Sequence, residues 1–78
     1  MRNIGYFKGK NITVVGAARS GIACANLLFE LGARVSISDF NDNVSTRRAI
    51  SGLKSSDIKF ELGAHTAGFI RRRDIIVV

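Results

Sequence analysis

Two glycines and one aspartate are spaced in this sequence as in sites that bind phosphorylated ligands. The segment Gly16 to Gly21 reads GAARSG, follows the apolar run Ile12–Val15 and precedes a helix-length segment. In a G-x-G-x-x-G loop the first glycine permits a tight turn, the third lets the helix sit close to the strand, and the helix N-terminus offers backbone N–H groups to phosphate. Asp39 stands at the end of the next predicted strand, about 20 residues on, where an acid accepts hydrogen bonds from a ribose hydroxyl. The spacing therefore predicts an anion-binding loop.

The loop departs from the full pattern at its second glycine, which is Ala18 here. That glycine normally lets the backbone approach a pyrophosphate, so the methyl group of Ala18 would crowd the ligand. Two alternatives stay open: the loop could be a purely structural turn, and Asp39 an ordinary turn residue. Arg19 could donate charge-assisted hydrogen bonds to a phosphate or point to solvent. The order of strand, loop, helix and strand favours ligand binding.

The elements that position this loop follow from hydrophobic periodicity. The run Ile12–Val15 is typical of a strand buried on both faces of a parallel sheet. Ser20 is a plausible helix N-cap, Gly32 suits the helix C-terminus, and an apolar stripe lies between them at Ile22, Ala25, Leu28 and Leu31. The remaining predicted elements are a strand at 34–38 ending at Asp39, a helix at 46–54, a strand at 58–62, a helical turn at 66–70 and a strand at 75–78. Short connections between them require parallel strands and right-handed crossovers, so we expect an α/β, Rossmann-like parallel sheet with flanking helices.

Length and composition restrict the alternatives. A chain of 78 residues makes one domain, and the predicted strand at its end favours a truncated N-terminal domain of a larger protein. The net charge of +6 comes from basic residues spread along the chain without interleaved aromatics, which disfavours nucleic-acid binding. A solvated basic surface, matched to an anionic ligand, is the simpler interpretation. No apolar run approaches the length of a membrane span and no signal peptide is recognisable, so we expect a soluble, cytoplasmic chain without membrane contact.

Few other residues carry chemistry. The single Cys24 excludes an internal disulfide and is predicted to be a small buried hydrophobe. His65 has no partner at metal-ligand spacing, and the run Arg71–Arg73 is predicted to be a solvated turn or an interdomain contact. There is no GxxxxGK[ST] loop for ATP and no nucleophile with a base. The sequence therefore predicts no catalytic residue and no metal site.

The segments GKNITVVGAARSGIACANLLFELGARVSISD, KFELGAH and DIIVV resemble the N-terminal domain of the Mur ligase family, in particular its D-glutamate-adding member. The resemblance implies that residues 1–78 form the domain that binds the UDP-linked substrate, UDP-N-acetylmuramoyl-L-alanine. It places backbone N–H groups of Arg19 and Ser20 on the diphosphate and puts Asp39 and Phe40 at the uridine end. Ala18 stands where the family usually has glycine, and Phe40 and Asn41 stand where polar or basic side chains are common. The implied substrate-binding residues are Gly16, Ala17, Ala18, Arg19, Ser20, Gly21, Asp39 and Phe40.

The same resemblance implies a parent enzyme with chemistry outside this chain. Such a ligase uses ATP and Mg²⁺ to form an acyl-phosphate and then joins D-glutamate to the substrate, at sites in domains that this chain lacks. The fragment alone would be non-catalytic and without a cofactor. An alternative is a NAD(P)-binding Rossmann module of an oxidoreductase or regulatory protein, since the loop and Asp39 suit that ligand too. A noncatalytic basic interaction domain is a third hypothesis.

Overall fold

The computed structural model describes residues 4–64 and 75–77 of the chain. Predictions about His65, the turn at 66–70, Arg71–Arg73 and Val78 lie outside the described residues. Among residues 4–64 and 75–77, no helix is long and apolar enough to cross a membrane. The elements, in chain order, are a 3₁₀ helix (Ile4–Phe7), β1 (Asn11–Val15), α1 (Arg19–Glu30), β2 (Arg34–Asp39), α2 (Val44–Ile50), β3 (Lys59–Leu62) and β4 (Ile75–Val77).

The four strands form one parallel sheet in the order β3-β2-β1-β4. Register pairs Ile12 with Val35 on one side of β1 and with Ile75 on the other. The chain steps from β1 to β2 to β3 in one direction, whereas β4 lies on the opposite side of β1. This order creates a topological switch point between β1 and β4, where open α/β sheets bind ligands at the carboxyl ends of the strands. The prediction of a Rossmann-like parallel sheet is confirmed.

The core lies between the sheet and α1. Ile12 and Val14 of β1 and Ile37 of β2 are buried, and the buried face of α1 consists of Ile22, Ala25 and Leu28, as the periodicity predicted. The prediction fails at Leu31, which is only half-buried because it follows the last helical residue. Cys24, predicted to be buried, is also half-buried.

Both helices begin earlier than predicted. The N-cap of α1 is Ala18, not Ser20, because the extended backbone ends at Ala18 (φ −122°, ψ 177°). The second helix runs from Val44 to Ile50, not over 46–54, since Asn43 caps it. Asn43 Oδ1 accepts the N–H of Thr46 at 2.9 Å and Thr46 Oγ1 accepts the N–H of Asn43 at 3.0 Å, a reciprocal capping box.

The third strand is shorter than predicted and less buried. It begins at Lys59, and the buried Ile58 precedes it. Phe60, on the predicted apolar face, remains 46% exposed because β3 pairs only with β2 among the described strands. β4 likewise lies at an edge of this sheet, with Ile76 exposed. The best-buried strands are thus β1 and β2, the two that lead into the glycine loop and Asp39.

Candidate ligand-binding site

The two glycines of the loop are required for different physical reasons. Gly16 has φ +116°, a conformation that other residues rarely adopt, although a Cβ there would meet no atom within 4 Å. Gly21 needs no special conformation but has no room for a side chain. A Cβ at Gly21 would lie 2.1 Å from the carbonyl oxygen of Gly16 and 3.6 Å from Val14 Cγ1. The first turn of α1 therefore packs directly on the loop backbone.

Asp39 holds the loop against the end of β2. Its Oδ2 accepts the backbone N–H of Ala17 at 2.7 Å, and its Oδ1 accepts the N–H of Asn41 at 2.8 Å. The carboxylate is half-buried, and the N–H of Gly16 donates to the carbonyl oxygen of Ser38 at 2.7 Å beside it. Each carboxylate oxygen keeps further acceptor capacity, so a ligand hydroxyl can still bind there. Asp39 thus has a structural role that the sequence motif did not reveal.

No side chain among the described residues caps the N-terminus of α1. The side chain of its N-cap residue, Ala18, accepts no hydrogen bond, and the first turn contains no acidic residue. The first N–H to find a helical acceptor is that of Ile22, which donates to Ala18 O at 2.9 Å. Backbone N–H groups of Arg19, Ser20 and Gly21 precede it and carry the positive end of the helix dipole. This end of α1 is suited to a negatively charged group.

A cavity of about 300 Å³ opens beside this helix terminus at the switch point. Its walls come from the end of β1, the end of β4 and the first two turns of α1. The lining residues include Gly16, Ala18, Ser20, Gly21, Cys24 and Val77. Cys24 and Val77 were not predicted to line a ligand site. The position of Cys24 could have been inferred, because Ser20 and Cys24 are four residues apart on one face of a helix.

The predicted site residues divide between two cavities. Gly16, Ser20 and Gly21 line the switch-point cavity, Ala17 and Arg19 line a second groove toward α2, and Ala18 borders both. Asp39 and Phe40 line neither cavity. Phe40 follows β2 with its side chain 69% exposed. The loop residues are therefore contiguous in space, but their side chains do not converge on one point.

A salt bridge stands just beyond this site. Arg47 donates from Nε to Asp42 Oδ1 at 2.7 Å and from Nη2 to Asp42 Oδ2 at 2.9 Å. The hydrogen bond from Arg47, with a smaller contribution from its charge, lowers the pKa of Asp42 below its usual value, and the same pairing raises the pKa of Arg47. Within residues 4–64 and 75–77, no group of three or more His, Cys, Asp or Glu side chains could hold a metal ion.

The fold and loop define a class of protein: a Rossmann-like α/β domain with its candidate ligand site at the β1–β4 switch point. Two of the solved structures that share the fold are bacillithiol disulfide reductases. The Bacillus cereus enzyme matches with a TM-score of 0.59 at 18% identity, over 83% of this chain and 22% of that one. The Staphylococcus aureus enzyme matches with a TM-score of 0.60 at 16% identity, over 78% and 21%. At such identities the likeness concerns the fold alone.

Sequence relatives are more specific. The chain is 38% identical over 69 residues to the UDP-N-acetylmuramoylalanine–D-glutamate ligase of Pelobacter propionicus, covering 88% of this chain and 16% of that enzyme. It is 39% identical over 71 residues to the ligase of the same name from Acidobacterium capsulatum, covering 91% and 15%. No protein-family model matches the chain. The chain spans about one sixth of the length of these relatives. The resemblance to this Mur ligase, predicted from the motifs, is confirmed.

Proposed function

We propose that the chain is the N-terminal, UDP-substrate-binding part of a ligase that adds D-glutamate to UDP-N-acetylmuramoyl-L-alanine in peptidoglycan synthesis. The parent enzyme would use ATP and Mg²⁺ at sites outside this chain, and these residues alone would bind substrate without catalysing a reaction. The names of the relatives support the reaction. The observation that carries the binding role is the uncapped N-terminus of α1, beside a cavity at the switch point of the sheet.

In this proposal the diphosphate lies against the first turn of α1. The backbone N–H groups of Arg19 and Ser20 donate to its oxygens, and Gly21 allows the close packing that holds them in place. The N–H of Ala17 is committed to Asp39 and is not counted among the donors. Asp39 accepts a ribose hydroxyl with its remaining lone pairs, and the exposed ring of Phe40 offers a surface for the uracil base.

The contribution of the backbone can be isolated with proline. Arg19 is the first helical residue, where proline is tolerated, and the extended conformation of Ala18 suits a residue that precedes proline. Arg19→Pro removes both the guanidinium and the N–H, whereas the matched control Arg19→Ala removes only the guanidinium. We expect calorimetric titration with UDP-N-acetylmuramoyl-L-alanine to give about tenfold weaker binding for Arg19→Pro than for Arg19→Ala, the loss typical of a hydrogen bond to a charged group.

Three results separate the possible outcomes. Equal affinities for the proline and alanine variants would contradict the role of the helix N-terminus. No binding by the unsubstituted chain would contradict the substrate assignment itself. Mixing with NADH tests the dinucleotide alternative, because a change in NADH fluorescence that excess NAD reverses would favour a nicotinamide ligand over UDP.

A further inference from the structure

A second groove lies on the other side of the glycine loop, between α1 and α2. It has a volume of about 400 Å³, and its lining includes Arg19 and Ile22 of α1 and Ser45, Arg48 and Ala49 of α2. We call it the arginine groove. Its two cationic side chains distinguish it from the switch-point cavity, which contains no charged side chain among its lining residues.

The two arginines of the groove lack partners within the part of the chain that the structure describes. Arg19 and Arg48 are exposed, neither side chain forms an ion pair or hydrogen bond there, and no carboxylate is among the lining residues. The neighbouring Arg47 differs, since its guanidinium is held by both oxygens of Asp42 and lies outside the groove. The groove therefore concentrates positive charge that these residues do not neutralise.

The two walls of the groove are fixed relative to each other by Asn26 of α1. Its Nδ2 donates to Gly52 O at 3.0 Å, and its Oδ1 accepts the N–H of Lys54 at 2.9 Å. Gly52 also brings the segment after α2 close to α1, because a Cβ there would lie 3.3 Å from Ile22 Cγ2. Both polar groups of one amide thus tie the segment after α2 to α1. A ligand that bridges the walls would find the two helices already positioned.

We propose that the arginine groove binds a phosphoryl group, with Arg19 and Arg48 as its charged donors. A guanidinium presents a planar set of N–H groups that matches phosphate oxygens, and both arginines line the same groove. The Ser45 hydroxyl at the groove adds a neutral donor. Ala18 borders both this groove and the helix terminus, and Arg19 belongs to both, with its backbone N–H at the terminus and its guanidinium in the groove. The groove proposal concerns side chains alone, so it does not depend on the identity of the ligand bound at the terminus.

Inorganic pyrophosphate titrated into the ¹⁵N-labelled chain tests this site, with the arginine Nε–Hε signals as the readout. We expect the signals of Arg19 and Arg48 to shift together while that of Arg47 stays in place. Arg48→Gln should weaken this pyrophosphate binding about tenfold, the loss of a charge-assisted hydrogen bond. The matched control Arg47→Gln removes the same charge one residue away and should change the Kd by no more than about twofold, as an exposed charge does.

Two results would overturn the proposal. One is an unchanged Arg48 signal at saturating pyrophosphate, and the other is equal weakening by Arg48→Gln and Arg47→Gln, which would show attraction to net charge alone. A parallel titration with UDP follows the amide signals of Ser20 and Gly21. If UDP leaves those amides unchanged while pyrophosphate shifts Arg48, the proposed function fails and the arginine groove stands. The reverse pattern overturns the groove and leaves the proposed function intact.

Discussion

Replacement of Gly21 by alanine sets two physical effects against each other. In an ordinary helix the change would stabilise the protein by up to about 1 kcal/mol, because alanine has the higher helix propensity. At Gly21 the new Cβ would lie 2.1 Å from the carbonyl oxygen of Gly16, and real Cβ atoms essentially never come closer than 3.0 Å to such an atom. The oxygen or the helix must therefore move by about 0.9 Å.

The surrounding structure makes that movement costly. The obstructing atom belongs to the backbone, and both N–H groups beside it are held, that of Gly16 by Ser38 O and that of Ala17 by Asp39. Overpacking of this kind typically costs about 1–3 kcal/mol and sometimes more. We expect the clash to outweigh propensity, so that Gly21→Ala lowers the free energy of unfolding by up to about 2 kcal/mol. In a domain of this size, about 1 kcal/mol corresponds to a Tm change of roughly 4–8 °C.

Thermal unfolding followed by circular dichroism measures the effect, and titration with UDP measures its consequence for the site. Gly21→Ala should lower both Tm and UDP affinity, because the loop has to shift. Ala23→Gly is the matched control: Ala23 is exposed on the same helix, so this change should cost about 1 kcal/mol through propensity alone and leave UDP affinity unchanged. A higher Tm for Gly21→Ala than for the unsubstituted chain would refute the packing argument.

Three further predictions concern single side chains. Asp39→Asn should lower the free energy of unfolding in urea by about 1–3 kcal/mol. The carboxylate accepts the N–H groups of Ala17 and Asn41 with its two oxygens, whereas an amide replaces one of those oxygens by an NH₂ donor. An unchanged urea midpoint of unfolding would contradict this prediction. Cys24 lines the switch-point cavity, so UDP at ten times its Kd should slow the reaction of the thiol with a disulfide reagent about tenfold, and an unaltered rate would place the ligand elsewhere. Because Arg47 lowers the pKa of Asp42, the stability contributed by their pair is present above the usual carboxylate pKa of 3.8 and is lost as pH falls through the lower pKa of the folded state. The free energies of unfolding in urea of the chain and of its Asp42→Asn variant should therefore differ near neutral pH and converge in acid. A difference that stays constant with pH would exclude the ion pair as its source.

The architecture was predictable because its determinants are local. An apolar β-branched run, a glycine loop and an amphipathic helix give a parallel strand pair whichever residues follow. The first residue of α2 is set by the capping box between Asn43 and Thr46. This is a weak signal in the sequence, because two polar residues three positions apart do not contribute to the periodic pattern of apolar residues. Ser36 and Ser38 are buried although they alternate with Val35 and Ile37 along β2, a pattern that usually indicates one exposed polar face. Small hydroxyl side chains fit a strand buried on both faces, so polarity alone misstates their exposure.

The site was predictable in its backbone and less so in its side chains. Loop spacing correctly assigns Gly16 to a tight turn, where its φ is +116°, and Gly21 to close packing of the helix, because both demands arise within a few residues of each other. Asp39 lies 22 residues from the N–H that it accepts, so its role in holding the loop depends on the register between β1 and β2. The same hydrogen bond reduces the number of backbone N–H groups that a ligand can use at this site. With the Ala17 N–H committed to Asp39, an anion at this loop has to be bound by the amides of the first turn of α1, and Ala18, in an ordinary extended conformation, can replace the second glycine without backbone strain. The alanine then affects ligand binding only through steric contact between the ligand and its methyl group.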